Sequence, residues 1–273
     1  MDENISNFEL EESVVLSVLD LVKKAGEGTL DFFKKNVAVE KKEDDSPVTE
    51  ADYAANTILM EGLKKYGYPI LSEEIVPHVY NEDGYLWIID PLDGTKRFIK
   101  GESDFSVMVG LTYKTKPIFG IVYQPAIDVL YYAEKGKGAF VEKSGVKTRI
   151  QVSDVDRLAE TRLTVSNRAR TIESFARKVA QIQPKEVHYV GSNGVKIGGI
   201  AEGKYDLFFN PSSELGSYDY CAPHMIIEEA GGKISHCDGS EVLYDSGWDA
   251  CPKGVVVSNG AVHDEFIDLF KTM

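Results

Sequence analysis

Basic residues are in short supply in this chain: 30 Lys and Arg stand against 44 Asp and Glu, a net charge of −14. A surface of that sign repels nucleic-acid polymers and anionic membranes, but it leaves a small anion free to bind wherever a local cation neutralises the field. Cysteine is scarce too. Cys221, Cys237 and Cys251 fall at no metal-finger spacing and their odd number offers no disulfide framework, which suits a reducing cytoplasm. The histidines, His78, His188, His224, His236 and His263, include no pair at ligand spacing and read as surface or core residues. No apolar run approaches membrane-spanning length, and the acidic start (Asp2, Glu3, Glu11, Glu12) resembles neither a signal nor a transit peptide. Repeats, low-complexity tracts and heptads are also missing. What is present is bulk: 273 residues, 43% hydrophobic, enough for one large α/β unit or two packed lobes. No flexible linker divides it, so a boundary between lobes 1–150 and 151–273 would be a hinge between packed surfaces.

The most informative stretch is Trp87-Ile88-Ile89-Asp90-Pro91-Leu92-Asp93-Gly94-Thr95-Lys96. Leu86 to Ile89 is short, apolar and partly β-branched, the pattern of a strand buried on both faces, and Pro91 is expected to end its ladder. Gly94 permits a tight turn, which frees the amides of Gly94 and Thr95 to face an anion. Asp90 and Asp93 beside an anion cradle repel the anion. A divalent cation between them removes the conflict, and hard oxygen ligands at this density suit Mg²⁺ better than Zn²⁺. Asp, Pro and Gly are also ordinary strand-exit residues, but two acids, a Gly-Thr and the further pair Glu73-Glu74 after Ile70-Leu71-Ser72 exceed what a turn needs. Two strand ends offering carboxylates side by side is how open sheets build sites.

Elsewhere the pattern predicts a packing helix over about Asn7 to Lys35, weakened at Gly26 and Gly28, and a second helix from Thr49 to about Lys65. Thr49 with Asp52 forms a capping box in its aspartate form, a duty that could by itself explain Asp52 and that leaves a role in the site equally open. Asp44 and Asp45 precede a proline-fixed turn able to aim a side chain into a site. Phe105–Tyr113, Ile118–Gln124, Val129–Glu134 and Ala139–Glu142 read as an antiparallel meander. Beyond it, strands and helices alternate. One helix opens after Gly191-Ser192-Asn193-Gly194 with Lys196 on its first turn, and another opens at Asp219, where an acid is favoured by capping and by the helix dipole.

Taken together, Ser72-Glu73-Glu74, Trp87 through Thr95, and Tyr218-Asp219 leading to Glu228-Glu229-Ala230-Gly231-Gly232 resemble the inositol monophosphatase superfamily of magnesium-dependent, lithium-sensitive phosphatases. The resemblance spans nearly the whole chain and implies an α/β fold, a layered α-β-α-β-α sandwich of the sugar-phosphatase type. It implies metal ligation by Glu73, Asp90, the Leu92 carbonyl, Asp93 and Asp219, with two or three Mg²⁺ ions per site. Thr95 corresponds to the hydroxyl that helps hold an attacking water, and Gly94 and Thr95 to phosphate-binding amides. Ser46-Pro47-Val48-Thr49, Lys96 after Thr95, and Ser192 with Lys196 resemble the 3'(2'),5'-bisphosphate nucleotidase branch more than the inositol phosphatases. Asn210 and the loop Pro211 to Ser217 replace the ring-binding glutamate region of the latter. That branch implies a small phosphorylated substrate held by Gly94, Thr95, Lys96, Ser192 and Lys196, water activation by Asp44 or Glu73 with Thr95, and a protein able to form a homodimer.

Haloacid-dehalogenase-type phosphatases offer an alternative, because they too end a strand in Asp-x-Asp-Gly-Thr. Here the spacing is Asp-x-x-Asp, and one extra residue in an extended segment turns the second side chain to the opposite face. A sugar phosphatase acting on inositol or fructose phosphates, or an ion-binding protein without turnover, are the other readings. Thr95 and Asp44, a pair a mere binder does not need, favour an enzyme.

Overall fold

The computed structural model describes residues 10–35, 38–41, 47–75, 84–166, 172–213, 216–244 and 252–272. In the first half the elements are α1 (Glu12–Leu30), β1 (Val39–Lys41), β2 (Pro47–Thr49), α2 (Glu50–Leu63), β3 (Ile70–Ser72), β4 (Tyr85–Asp93), α3 (Thr95–Ile99), β5 (Ser106–Tyr113), β6 (Lys116–Gln124), β7 (Val129–Glu134), β8 (Gly138–Lys143) and β9 (Val146–Ile150). They are followed by β10 (Arg162–Val165), α4 (Glu173–Ile182), β11 (Glu186–Tyr189), α5 (Asn193–Ala201), β12 (Leu207–Asn210), α6 (Ser217–Glu229), β13 (Lys233–Ser235), β14 (Val255–Ser258) and α7 (His263–Phe270).

Alternation along two strands sets the layering. In β4, Trp87 and Ile89 enter a core with Val18, Val22 and Ala25 of α1 and Ala55, Leu59 and Leu63 of α2. Their neighbours Leu86 and Ile88 enter a second core with Ile197 and Ile200 of α5 and Cys221, Met225 and Ile226 of α6. Phe208 of β12 joins that second core from the far side, whereas Leu207 and Phe209 face a third, with Phe175 of α4 and Phe266 of α7. The result is the α-β-α-β-α sandwich, built on a seven-stranded sheet ordered β3-β4-β5-β6-β7-β8-β9 and a five-stranded sheet ordered β11-β10-β12-β14-β13. Helix α6 lies flat on the larger sheet because Gly110 and Gly120 face each other across β5 and β6. A Cβ on Gly110 would stand 2.5 Å from Cys221 Sγ, and one on Gly120 would stand 2.2 Å from the Ala222 carbonyl oxygen.

Three expectations change. Helix α1 runs through Gly26 and Gly28 without a break, since Gly26 is where the helix meets Tyr123 of β6, and it ends at Leu30. Strand β9 goes unrecognised in the sequence because it is a short edge strand: Val146, Thr148 and Ile150 alternate with Lys147 and Arg149, but Val146 to Arg149 are all exposed and only Ile150 is buried. Pro91 does not end β4 but sits in a bulge. Between the pairs Asp90↔Met108 and Asp93↔Ser106, β4 advances three residues while β5 advances two.

His263 shows how this core depends on pH. Its ring is buried between two hydroxyls, Ser235 Oγ 2.8 Å from Nε2 and Ser258 Oγ 2.8 Å from Nδ1, and burial lowers its pKa from 6.5 to about 4. Between those values the unfolded chain binds the extra proton, so stability falls as pH drops from 6.5 towards 4. The loss is on the order of 3 kcal/mol. Urea melts of His263→Gln should show a flatter acid limb than wild type, and equal slopes would refute the assignment.

Candidate active site

The bulge in β4 brings the acids together. Asp90 and Asp93, three positions apart in an extended segment, would point to opposite faces, but the extra residue restores the second side chain to the side of the first. The register shift thus overturns the expectation that an Asp-x-x-Asp pair diverges. Asp219 joins from the first turn of α6, and one oxygen from each of the three carboxylates lies within 4.8 Å of the others. Asp219 is held by the backbone N–H of Gly216, which donates to Oδ2 at 3.1 Å, and by Asn193 Nδ2, which donates to Oδ1 at 2.8 Å. Asn193 has no counterpart among the sequence expectations; its only signal was its place at the start of α5.

Asp90 is 1% exposed. Burial, then the charges of Glu73, Asp93 and Asp219, hold its carboxyl well above the usual range, and a hydrogen bond joins it to Glu73 at the end of β3. The Leu92 N–H donates to Asp90 Oδ1 at 3.1 Å. Burial, then Asp93, raises Asp219 to about 7. Asp93 is raised as well, by burial, and is partly relieved by donors from Ser192 and Gly194. Buried carboxylates that repel one another this strongly, all oxygen donors, match a hard divalent cation.

The Thr95 hydroxyl lies 3.2 Å from the Leu92 carbonyl oxygen and 3.2 Å from Asp52 Oδ1. The other oxygen of Asp52 accepts the N–H (2.8 Å) and the hydroxyl (2.6 Å) of Thr49. Asp52 therefore both caps α2 and reaches the site, a second role that the capping explanation concealed. Burial raises its pKa to about 6. Asp44, which the resemblance pairs with Thr95, lies outside the described residues. Gly94 has φ 97°, where a Cβ would meet the Asp104 carbonyl oxygen at 2.7 Å. Thr95 opens α3, so its N–H lacks an intrahelical acceptor.

Two expected substrate contacts are placed otherwise. Ser192 is buried and its hydroxyl donates to Asp93 Oδ2, because it caps a helix packed against β5. Lys196 is 0% exposed, its ammonium donating to Ser166 Oγ at 2.9 Å and lying 4.7 Å from the Phe208 ring centroid, and burial lowers its pKa to about 8. The charges of Asp93 and then Asp219 oppose that effect and favour its protonated form. Lys96 is exposed on α3.

A sandwich of this layering with converging acids at the ends of β3, β4 and the start of α6 is the framework of a hydrolase for phosphate esters. The sequence matches the inositol monophosphatase family over residues 11–272, and the chain belongs to that family of phosphatases. It is 36% identical over 235 residues to the 3'(2'),5'-bisphosphate nucleotidase CysQ of Salmonella typhimurium, covering 83% of this chain and 92% of the relative. Inositol monophosphatase 2 of Solanum lycopersicum is 29% identical over 265 residues, covering 94% and 97%. Among solved structures, the IMPase of Thermotoga maritima superposes with a TM-score of 0.81 at 27% identity, covering 95% of this chain and 97% of that one. Among the described residues, no helix is long and apolar enough to cross a membrane.

Proposed function

We propose that the chain is a Mg²⁺-dependent phosphomonoesterase that removes the 3' (or 2') phosphate of adenosine 3'(2'),5'-bisphosphate in the cytoplasm. The observation that carries the chemistry is the convergence of Asp90, Asp93 and Asp219 beside the Thr95–Asp52 contact. The 36% identity to a bisphosphate nucleotidase supports the choice of substrate.

Glu73, Asp90, the Leu92 carbonyl, Asp93 and Asp219 would hold the cations. Bound there, a divalent ion supplies Lewis-acid polarisation of the phosphoryl group and acidifies water. The protein's own part is proton handling and orientation. With Thr95 Oγ1 donating to Asp52 Oδ1, its lone pairs are left to accept a hydrogen bond from the attacking water, and as that water gives its proton to Thr95 the hydroxyl proton passes to Asp52, which is ionised above pH 6. The amides at Gly94 and Thr95 face the phosphoryl oxygens. Lys96, exposed on α3, is a cation placed to meet a second phosphate, and the buried Lys196 acts on it only through its field. We assign the two lobes to residues 1–150 and 151–273.

A phosphate-release panel tests the reading. With Mg²⁺ present, adenosine 3',5'-bisphosphate should be hydrolysed with kcat/KM at least about tenfold above inositol 1-phosphate and fructose 1,6-bisphosphate, a margin near 1.4 kcal/mol. A preference for inositol 1-phosphate would replace the nucleotidase reading by the inositol phosphatase one, which the tomato relative supports.

A further inference from the structure

Asp93 is bound differently from the other acids. Its Oδ2 accepts the Gly194 N–H at 2.8 Å and the Ser192 hydroxyl, with Ser106 Oγ at 3.4 Å. The side chains of Asp93, Ser106 and Ser192 are all buried. A hydroxyl has one proton and two lone pairs. Ser192 gives its proton to Asp93 and accepts the Val195 N–H at 3.1 Å as the cap of α5. At the 2.9 Å contact between Ser106 and Ser192, Ser106 must then be the donor, so its single proton goes to Ser192 and not to Asp93 at 3.4 Å. Ser192 is thereby saturated, with one bond given and two received, and nothing is left for a substrate oxygen.

The close approach that allows this is steric. A Cβ on Gly194 would lie 2.6 Å from Met108 Sδ and 2.7 Å from Ser106 Oγ, so only glycine lets the first turn of α5 press its amide onto Asp93. The arrangement ties one carboxylate oxygen to a helix that follows the smaller sheet while the carboxylate itself ends a strand of the larger one.

We infer that Ser192, backed by Ser106 and the Gly194 amide, is a positioning residue that fixes Asp93 so that only Oδ1 is offered to a cation, and that Ser192 makes no contact with substrate. This rests on the reading that the acid cluster holds a divalent ion. Partners of this kind typically alter metal affinity by about 10- to 100-fold.

The test uses the full chain stripped of metal, with Mn²⁺ alone as probe and free Mn²⁺ read by electron paramagnetic resonance. Ser192→Ala should bind Mn²⁺ about tenfold or more weakly, and Ser192→Thr, which keeps the hydroxyl, should recover most of the affinity. At saturating metal the KM of Ser192→Ala for adenosine 3',5'-bisphosphate should stay within about twofold of wild type. Should Ser192→Ala fail to fold, Ser106→Ala serves in its place and should shift Mn²⁺ affinity in the same direction. Unchanged Mn²⁺ affinity with a raised KM would overturn the inference by making Ser192 a substrate contact. A wild-type protein that binds no Mn²⁺ would instead overturn the cation reading, and the inference with it.

Discussion

Asp90→Asn should lower phosphate release by about 10²–10³ or more and, in the metal-free protein, should raise the melting temperature. Both effects come from the same charge. Asn keeps an oxygen to accept the Leu92 N–H, so the bulge in β4 retains its internal bond. It removes the carboxylate that burial, Glu73, Asp93 and Asp219 all disfavour in ionised form. The sign of the pH dependence follows. Asp219 titrates near 7 in the folded protein against 3.8 for an ordinary aspartate, and Asp90 is shifted in the same direction. The folded state therefore holds protons the unfolded chain has lost, and the stability of the metal-free protein falls as pH rises from about 4 through 7. Scanning calorimetry in EDTA should find this slope in wild type and a shallower one in Asp90→Asn. A gain of about 1 kcal/mol at neutral pH corresponds to roughly 2–4 °C in a chain of this size. An Asn variant with near-normal turnover at saturating Mg²⁺ would remove Asp90 from the site.

The second large effect is kinetic. Asp52→Asn should reduce kcat by about 10²–10⁴ while leaving Mn²⁺ affinity close to wild type, because Asp52 stands behind Thr95 and outside the three-carboxylate cluster. The wild-type kcat should fall away on the acid side with a midpoint near 6, the pKa to which burial raises Asp52. Thr95→Ala should match Asp52→Asn, and combining the two should add little, as expected of residues acting as one unit. The parallel variant Asp44→Asn decides between the two candidate partners of Thr95. If it is the one that loses kcat, the water-activating pair belongs to Asp44, and Asp52 is a helix cap alone.

How far the sequence carried the structure depended on whether a residue had one duty or two. The run Leu86 to Ile89 is apolar at every position because it separates two cores, and that doubling is visible in composition alone. The meander was legible from its alternation, and the sandwich from the family resemblance. Asp52 was obscured by its own economy: one oxygen satisfies the Thr-x-x-Asp cap, and nothing in the spacing reveals that the other faces Thr95. Ser192 and Lys196 were placed correctly at the head of α5, but sequence cannot tell which way a helix start is turned. Both face inward because Gly194 lets the helix sink against β5. The bulge was hidden because Pro91 ordinarily signals termination, and only pairing with β5 shows that the strand resumes.

The position of the acids along the chain also governs how the protein is made. Asp90 and Asp93 leave the ribosome early and Asp219 late, and the three meet only once α6 has settled on the larger sheet. An ion held by these acids would find no complete site in the nascent or unfolded chain, and by binding the finished fold alone it would add about 2.7 kcal/mol at a concentration a hundred times its Kd. If those contacts form after the folding barrier, the ion would slow unfolding and leave the folding rate alone. Magnesium at this site would act as a latch that holds an assembled protein shut and takes no part in assembling it.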